Sequence, residues 1–308
     1  MTAVTTTWKK LGLVTPGPEG CEWAVSHAAL PVVEVGAAGA CRVYFSARDA
    51  EGRAQVGVGD LDLAAPARGL TIGSRPAIAL GALGAFDDHG VTSSCLAIVN
   101  GRRYQYYTGW SRGVTVPFYF YVGLAVSDDG GGTYRRVSRA PLLERNDVDP
   151  FLTASPWVLI EEGLWRMWYV SGVRWTMENG QPRHYYHVKY AESGDGVQWK
   201  RHGVVCIDFA SEGEHAIARP CVLKEPDGRY RMWYSYRGER YRIGYAESRD
   251  GIAWERKDDE AGIGPSASGW DSEMIEYPAV FDADGRRYML YNGNGYGRSG
   301  MGLAVQEA

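Results

Sequence analysis

The sequence lacks the features that define several large classes of protein. It has no run of 18 apolar residues, so we expect no membrane-spanning helix. It has no block of basic residues, and 37 acidic against 33 basic side chains give a net charge of −4, so we expect no nucleic-acid partner. The first residues lack the charged-then-apolar layout of a secretory signal, which favours a cytoplasmic location.

Cysteine is scarce and has no metal-binding spacing. The chain has five cysteines, an odd number, and none forms a CxxC pair. Cys95 and Cys221 lie inside strand-like apolar runs. We therefore expect buried free thiols in a reducing compartment rather than a disulfide framework or a zinc site.

Glycine and aromatic residues are abundant instead. Forty glycines, twenty tyrosines and eleven tryptophans suit many short strands that are joined by tight turns. No segment predicts a helix longer than a turn or two. The composition therefore favours an all-β fold.

One supersecondary unit is repeated along the chain. The pattern Trp-Tyr, then Tyr-Ala-Glu-Ser-x-Asp-Gly-x-x-Trp, occurs at 168–199 and again at 233–254. Each copy predicts a hairpin, a third strand, an Asp-Gly turn and an outer strand, which is one blade of a β-propeller. The last copy stops after its third strand at 301–305, and residues 8–14 match the outer strand at 199–205.

These observations predict an all-β, five-bladed β-propeller that is closed by its N-terminal strand, residues 6–14. Such closure leaves no free sheet edge. Because each blade needs neighbours to cover its faces, we expect a single domain over residues 1–308. The predicted blades span 21–80, 87–139, 147–205, 212–258 and 270–308, the last with strand 6–14.

Strand alternation then sorts the loops between two faces. One face of the predicted fold has the long connections within and between blades, whose sequences differ from blade to blade. The other face has the short turns at Asp195 and Asp250. Long, individual loops usually carry function, so we place the site on the first face.

Acids and histidines gather at the starts of the innermost strands on that face. Paired carboxylates with separated pKa values are the groups that cleave glycosidic bonds. We take Glu276, Asp149, Asp271 and Asp88 as catalytic candidates, although aspartates here can also simply cap turns. Glu276 stands out because the other blades have small residues at its position. The whole acidic and histidine set is His27, Asp88, His89, Asp147, Asp149, Glu214, His215, Asp271, Glu273 and Glu276.

Basic and aromatic side chains on the same face suit substrate binding. Arginines can hold hydroxyl, carboxylate or phosphate groups, and tryptophans can stack on sugar faces. The predicted binding residues are His27, Arg48, His89, Trp110, Arg174, Trp175, His215, Arg219 and Arg237. The histidines lie near the starts of different inner strands and can in principle hold a metal, but no local ligand spacing supports one, so we expect no cofactor.

The motifs Arg-Met-Trp-Tyr and Tyr-Ala-Glu-Ser-x-Asp-Gly-x-x-Trp resemble those of the five-bladed propeller glycosidase superfamily, which includes arabinanases, β-xylosidases, invertases, levansucrases and mannoside phosphorylases. The resemblance covers the whole chain and is greatest to divergent members linked to biosynthesis. It implies a base Asp before a proline in blade 1, an orienting Asp in blade 2, and an acid Glu two residues before a proline in blade 3. Here Asp149-Pro150 and Glu276-Tyr277-Pro278 stand in blades 3 and 5.

Three functions are compatible with this pattern. The first is a carbohydrate-active enzyme, glycoside-hydrolase-like or glycosyl-transferring, with an acidic axial pocket and Glu276 as the acid. The second is a biosynthetic lyase, cyclase or isomerase that uses histidine and carboxylate acid–base chemistry. The third is a non-catalytic glycan-binding propeller. In each case we expect a saccharide or another small molecule as the ligand, and a monomer or small homo-oligomer.

Overall fold

The computed structural model describes residues 7–15 and 21–307, and this part of the chain is built almost entirely from β-strands. The only helical segments among the described residues are short turns at Pro66–Arg68, Asp258–Glu260 and Asn294–Gly297. The strands are β1 (Trp8–Thr15), β2 (Ser26–Val35), β3 (Ala40–Arg48), β4 (Ala54–Asp62), β5 (Thr71–Ile72), β6 (Gly90–Val99), β7 (Arg102–Arg112), β8 (Phe118–Ser127), β9 (Arg135–Arg136), β10 (Thr153–Glu161), β11 (Leu164–Glu178), β12 (Gln181–Ser193), β13 (Lys200–Ile207), β14 (Ala216–Lys224), β15 (Tyr230–Arg237), β16 (Tyr241–Ser248), β17 (Trp254–Arg256), β18 (Glu276–Ala283), β19 (Arg286–Asn292) and β20 (Met301–Gln306).

Consecutive strands pair antiparallel in sets that match the sequence repeat. β2 to β5, β6 to β9, β10 to β13 and β14 to β17 each form such a set. β18, β19 and β20 form the last set, and its fourth strand is β1, which pairs antiparallel with β20 so that Trp8 lies opposite Gln306. The predicted N-terminal strand began at Thr6, which lies outside the described residues.

The first strands of these sets, β2, β6, β10, β14 and β18, are called the inner strands here. Each inner strand contacts the next, and β18 contacts β2. Side chains from the preceding set anchor their backbone. Ser46, Thr108, Ser235 and Asn292 accept hydrogen bonds of 2.7–2.9 Å from the N–H groups of Ser93, Ser155, Tyr277 and Leu30, respectively. The last of these bonds joins the final set of strands to the first.

Four inner strands contain an irregular residue immediately before a proline. Leu30, Ser155, Arg219 and Tyr277 have φ values of 45–56°, in the left-handed region that residues with a side chain rarely adopt. The strand register shifts at each of these residues. Such bulges bend a strand and redirect a side chain, and backbone strain of this kind gathers at functional sites.

The core consists of aromatic and aliphatic side chains that pack between neighbouring sets of strands. Trp8 of β1 packs edge-on against Trp233 of β15, with 6.1 Å between ring centroids. All five cysteines are free thiols, as expected, and four of them are buried. None of the helices in the described part of the chain has the length and apolarity needed to cross a lipid bilayer.

Candidate functional site

A cavity of about 580 Å³ opens among the inner strands. This volume lies within the range of small-molecule sites. Its lining includes Ala29, Ala154 and Ala218, which occupy the same position on β2, β10 and β14. A left-handed residue follows each of them, and two of these residues, Leu30 and Ser155, also line the cavity. The small residues at this position leave room for a ligand, and the bulges that follow shape the wall.

Five of the nine predicted binding residues line this cavity: His27, Arg48, His89, Trp110 and Arg237. Strand alternation explains the placement of three of them. Arg48, Trp110 and Arg237 each stand two residues beyond a side chain that anchors the next inner strand, and residues two apart on a strand share a face.

A glycine permits the packing of Trp110. A Cβ atom at Gly90 would lie 1.5 Å from the indole nitrogen of Trp110, so only glycine allows this ring to lie against β6. The ring also contacts His89 edge-on at 4.7 Å.

The prediction missed several wall residues that come from the first halves of the third strands. Phe118 stacks on Phe120 at 4.1 Å, and His184 stacks on Tyr186 at 4.7 Å. The sequence contained a signal for these residues. The two members of each pair are two positions apart, so they share a face of a strand that follows a long loop on the predicted functional face. The other missed residues with large side chains are Arg112, Tyr241, Tyr277 and Tyr296.

Three predicted binding residues lie next to the cavity wall rather than on it. Trp175 contacts Phe118 and His184 at 5.3 and 5.6 Å, and Arg174 lies 3.9 Å above the ring of Tyr185. His215 is buried, 5.6 Å from His184. These side chains support the wall instead of facing the ligand space.

The predicted binding residue Arg219 has a structural position. Its guanidinium is buried and donates to the backbone carbonyls of Pro31, Ser93 and Ser94 at 2.6–3.0 Å. Burial lowers the pKa of Arg219 to about 10, which leaves the group charged at neutral pH. The arginine therefore ties three inner strands together and does not line the cavity.

Asp149 and Asp271, the expected catalytic partners, are also engaged away from the cavity. Asp149 accepts hydrogen bonds from Tyr169 and Arg201, both at 2.9 Å, and is fully buried. Asp271 is held in the same way by Tyr291 at 3.0 Å and Lys10 at 2.6 Å. The same arrangement recurs at a third acid, Asp87, with Tyr107 and Arg136. In all three the acid precedes its tyrosine by 20 residues, which identifies a repeated structural tie.

The remaining acidic candidates do not form the expected ring either. Asp88 accepts a hydrogen bond from the Gly84 N–H and lines a separate groove. Glu214 pairs with Arg256, and the exposed Glu273 lies 3.4 Å from Arg240. Among the described residues that line the cavity, none is Asp or Glu. Most of these acids bind cations and tyrosines of neighbouring strands instead of lining the cavity, so the acidic axial pocket stays a prediction.

Glu276 differs from every other acid. Its side chain is fully buried, and neither carboxyl oxygen accepts a hydrogen bond from the described residues. Burial raises the pKa of Glu276 well above its usual value, an effect that the nearby Arg237 only partly opposes. Burial, with a smaller contribution from the Glu276 carboxyl group, raises the pKa values of Tyr186, Tyr241 and Tyr277, all of which line the cavity. Glu276 thus lies near these wall residues without itself lining the cavity.

The charge that faces the cavity is positive. Burial, with Arg48 and Arg298 nearby, lowers the pKa of His27 to about 4, and burial lowers that of His184 to about 3. These imidazoles are neutral at pH 7, so Arg48, Arg112 and Arg237 carry the charge of the wall. No three His, Cys, Asp or Glu side chains converge as a metal site in the described part of the chain.

Known proteins of similar fold are glycoside hydrolases of propeller type. A structure described as a glycoside hydrolase matches 99% of this chain and 93% of its own, with a TM-score of 0.76 and 18% identity. A thermostable family-43 glycoside hydrolase has a TM-score of 0.65 at 18% identity, covering 95% and 91% of the two chains. A structure from the GH130 family of mannoside phosphorylases, which contains glycoside hydrolases that target β-1,2 mannosidic linkages, has a TM-score of 0.71 at 16% identity, covering 99% and 95%.

Sequence similarity identifies closer relatives. No protein-family model matches the chain. Two Mycobacterium tuberculosis proteins, "Uncharacterized protein MT1551" of strain CDC 1551 and "Uncharacterized protein Rv1502" of strain H37Rv, are each 42% identical over 300 residues, which is 97% of this chain and 99% of theirs. The chain therefore belongs to the family of these mycobacterial proteins, and its fold is similar to that of propeller-type glycoside hydrolases.

Proposed function

We propose that this protein is a carbohydrate-active enzyme, glycoside-hydrolase-like or glycosyl-transferring, that binds a saccharide in the cavity and uses Glu276 to transfer a proton. Glu276 is the observation that carries the proposal. A repeat that has Ala29, Ala154 and Ala218 at the equivalent positions has a carboxyl group here, buried without a hydrogen-bond partner. Burying an unpaired polar group costs free energy, which function explains better than packing.

The chemistry follows from the protonation states. Burial raises the pKa of Glu276, which favours the protonated carboxyl group that a donor to a leaving glycosidic oxygen needs. Because Glu276 does not line the cavity, the step requires wall residues near it, such as Tyr241 or Tyr277, to shift when the saccharide binds. The neutral imidazoles of His27 and His89 are the groups placed to accept a proton from the attacking water or hydroxyl group.

The aromatic walls support a saccharide ligand. Trp110, Phe118 and Tyr241 offer flat apolar faces on which sugar rings stack, and Arg237 and His89 add polar contacts. Pockets that combine apolar walls with a few fixed polar groups are typical of small-molecule sites.

Replacement of Glu276 by glutamine tests the role of this residue. The amide keeps size and polarity but has no proton to transfer, so we expect the turnover number to fall by about 10²-fold or more. Activity is measured on a panel of aryl glycosides and as sugar release from nucleotide-sugar donors. Glu273→Gln is the matched control, because Glu273 is exposed and does not line the cavity. Near-full activity of Glu276→Gln would contradict the proposal.

Non-catalytic glycan binding is the second candidate. It is favoured by the described lining of the cavity, which holds no carboxylate and therefore no pair of the kind that glycosidases use. Isothermal titration separates the candidates. A binding protein would take up a saccharide without turnover, and its affinity would be unaffected in Glu276→Gln.

We also infer that the chain is one domain, a five-bladed propeller closed by its N-terminal strand. Three observations support this inference: β1 completes the set of β18 to β20, β18 contacts β2, and Asn292 of β19 accepts a hydrogen bond from Leu30 of β2. The blades would then correspond to the sets of strands given above.

A further inference from the structure

Three arginines that line the cavity lack a counter-charge. In the described part of the chain no carboxylate forms an ion pair with Arg48, Arg112 or Arg237, although many other arginines of the chain do pair. Arg136 binds Asp87, Arg166 binds Glu161, and Arg287 binds Glu225, at distances of 2.6–3.0 Å. All three charged side chains of the cavity wall are thus without an ion-pair partner among the described residues.

Two of these arginines occupy equivalent positions on different strands. Arg48 follows Ser46 of β3 by two residues, and Arg237 follows Ser235 of β15 by two residues. Ser46 and Ser235 both anchor the next inner strand, so both arginines project from the same level of the fold into one cavity, from separate walls.

Arg237 is held in a fixed orientation by aromatic neighbours. It donates to the Tyr296 hydroxyl at 2.8 Å and lies 5.4 Å from the ring of Tyr241. These contacts leave other guanidinium N–H groups free to bind a ligand, since the group has five donors. Arg48 is largely buried, and burial lowers its pKa without a carboxylate nearby to oppose the effect.

Nothing else that faces the cavity compensates this charge. The lining histidines are neutral and no lining residue is acidic among the described ones, while burial raises the pKa of Glu276 and so favours its uncharged form. Like charges in a partly desolvated cavity repel one another, and an anion that reaches both guanidinium groups removes this cost. Arginine suits this task because its planar fork matches the oxygens of carboxylate, sulfate and phosphate groups.

We propose that the saccharide bound in this cavity carries an anionic group, a carboxylate, a sulfate ester or a phosphate ester, and that Arg48 and Arg237 bind this group from two walls. The inference rests on the proposed function, because it names the substrate class of the same cavity.

The test is a binding comparison with matched sugars. Glucose, galactose and mannose are each titrated as the neutral sugar, the uronate, the 6-sulfate and the 6-phosphate, with inorganic phosphate as a separate arm. At least one anionic form should bind about tenfold or more tightly than its neutral parent, which is the scale of one charge-assisted hydrogen bond. Its affinity should fall as sodium chloride is raised, since screening weakens the attraction between charges.

Variants assign the effect to the two arginines. Arg48→Met and Arg237→Met should each remove most of the preference for the anionic sugar, and Arg48→Lys should retain part of it because the charge remains. Arg139→Met is the control, as Arg139 is exposed and outside the cavity lining. Circular dichroism and melting temperature establish that each variant is folded, and the salt dependence of the unaltered protein tests the proposal without any variant.

Three results would overturn the proposal in distinguishable ways. If neutral and anionic sugars bind and react equally well, the anionic substrate class is wrong while the carbohydrate-active function stands. If inorganic phosphate alone binds and no sugar does, both are wrong. A preference that persists undiminished in the folded Arg48→Met and Arg237→Met variants likewise overturns it.

Discussion

A buried carboxyl group without hydrogen-bond partners is rare in proteins, and Glu276 has none among the residues that the structure describes. Its position on β18 is set by the repeat, but its burial and its neighbours Arg237 and Tyr241 are set by packing. The raised pKa of Glu276, which supports its proposed role as a proton donor, also couples the stability of the fold to pH.

The sign of this coupling gives a prediction. The folded-state pKa of Glu276 is raised above the unfolded value of about 4.5, so the folded form binds the proton more tightly. The contribution of Glu276 to the free energy of unfolding is therefore fully present below pH 4.5 and is lost as the pH rises through the folded-state pKa. Compared with Glu276→Gln, the unaltered protein should lose free energy of unfolding as the pH rises above 4.5, as urea denaturation at a series of pH values measures. A pH-independent difference between the two proteins would show that Glu276 is charged or exposed.

The buried imidazole of His184 has the opposite dependence. Its folded-state pKa of about 3 lies below the ordinary value of 6.5. The contribution of His184 to the free energy of unfolding is therefore fully present above pH 6.5 and is lost as the pH falls toward 3. His184→Gln removes this titration. As the pH is lowered from 6.5 to 4, the melting temperature of the variant should therefore fall less than that of the unaltered protein. Equal falls for the two proteins would mean that His184 is accessible to protons in the folded state.

At the scale of elements, the repeated tie between an acid, a tyrosine and a cation explains why the sequence places aspartates before the inner strands. The tie joins the loop to the second strand through Tyr169 or Tyr291, and to the outer strand through Arg201 or Lys10. Such aspartates therefore resemble catalytic acids in sequence although they hold the strands together.

Asp149→Asn should therefore lower the free energy of unfolding. The change leaves Lys189 and Arg201 buried without their counter-charge, and breaking a buried ion pair typically costs about 3–5 kcal/mol. Asp147→Asn is the control, because Asp147 is exposed and should change the free energy of unfolding by less than about 0.5 kcal/mol. Denaturant unfolding measures both. A stable Asp149→Asn protein that has lost only turnover would restore Asp149 to the catalytic site.

At the scale of the whole molecule, β1 determines whether the last set of strands is complete. β1 pairs with β20 along its length, and Trp8 packs against Trp233 in the core. Without β1, the edge of β20 would be unpaired, and an unpaired edge is a template for association.

Removal of residues 1–14 should lower the melting temperature and cause aggregation, which size-exclusion chromatography with light scattering detects. The conservative variant Trp8→Phe keeps the strand and should remain monomeric. A truncated chain that stays monomeric with an unchanged melting temperature would rule out closure by the N-terminal strand.

The sequence alone determined the β-units and much of the functional face. Asp-Gly turns, alternating apolar residues and the repeated Trp-Tyr motif act over short distances, so they can be recognised without coordinates. The match between residues 8–14 and 199–205 predicted the pairing partner of β1 for the same reason. Alternation along β3, β7 and β15 likewise brought Arg48, Trp110 and Arg237 to one face.

Only the tertiary structure decided which of the acids face the cavity. Asp149 meets an arginine 52 residues away, and Asp271 meets Lys10 from the other end of the chain. These contacts depend on how the outer strands fold back onto the loops, and the local sequence does not contain that information. The same packing left Glu276 without a partner and the cavity arginines without counter-charges, so the electrostatic character of the site emerged only when the strands were assembled.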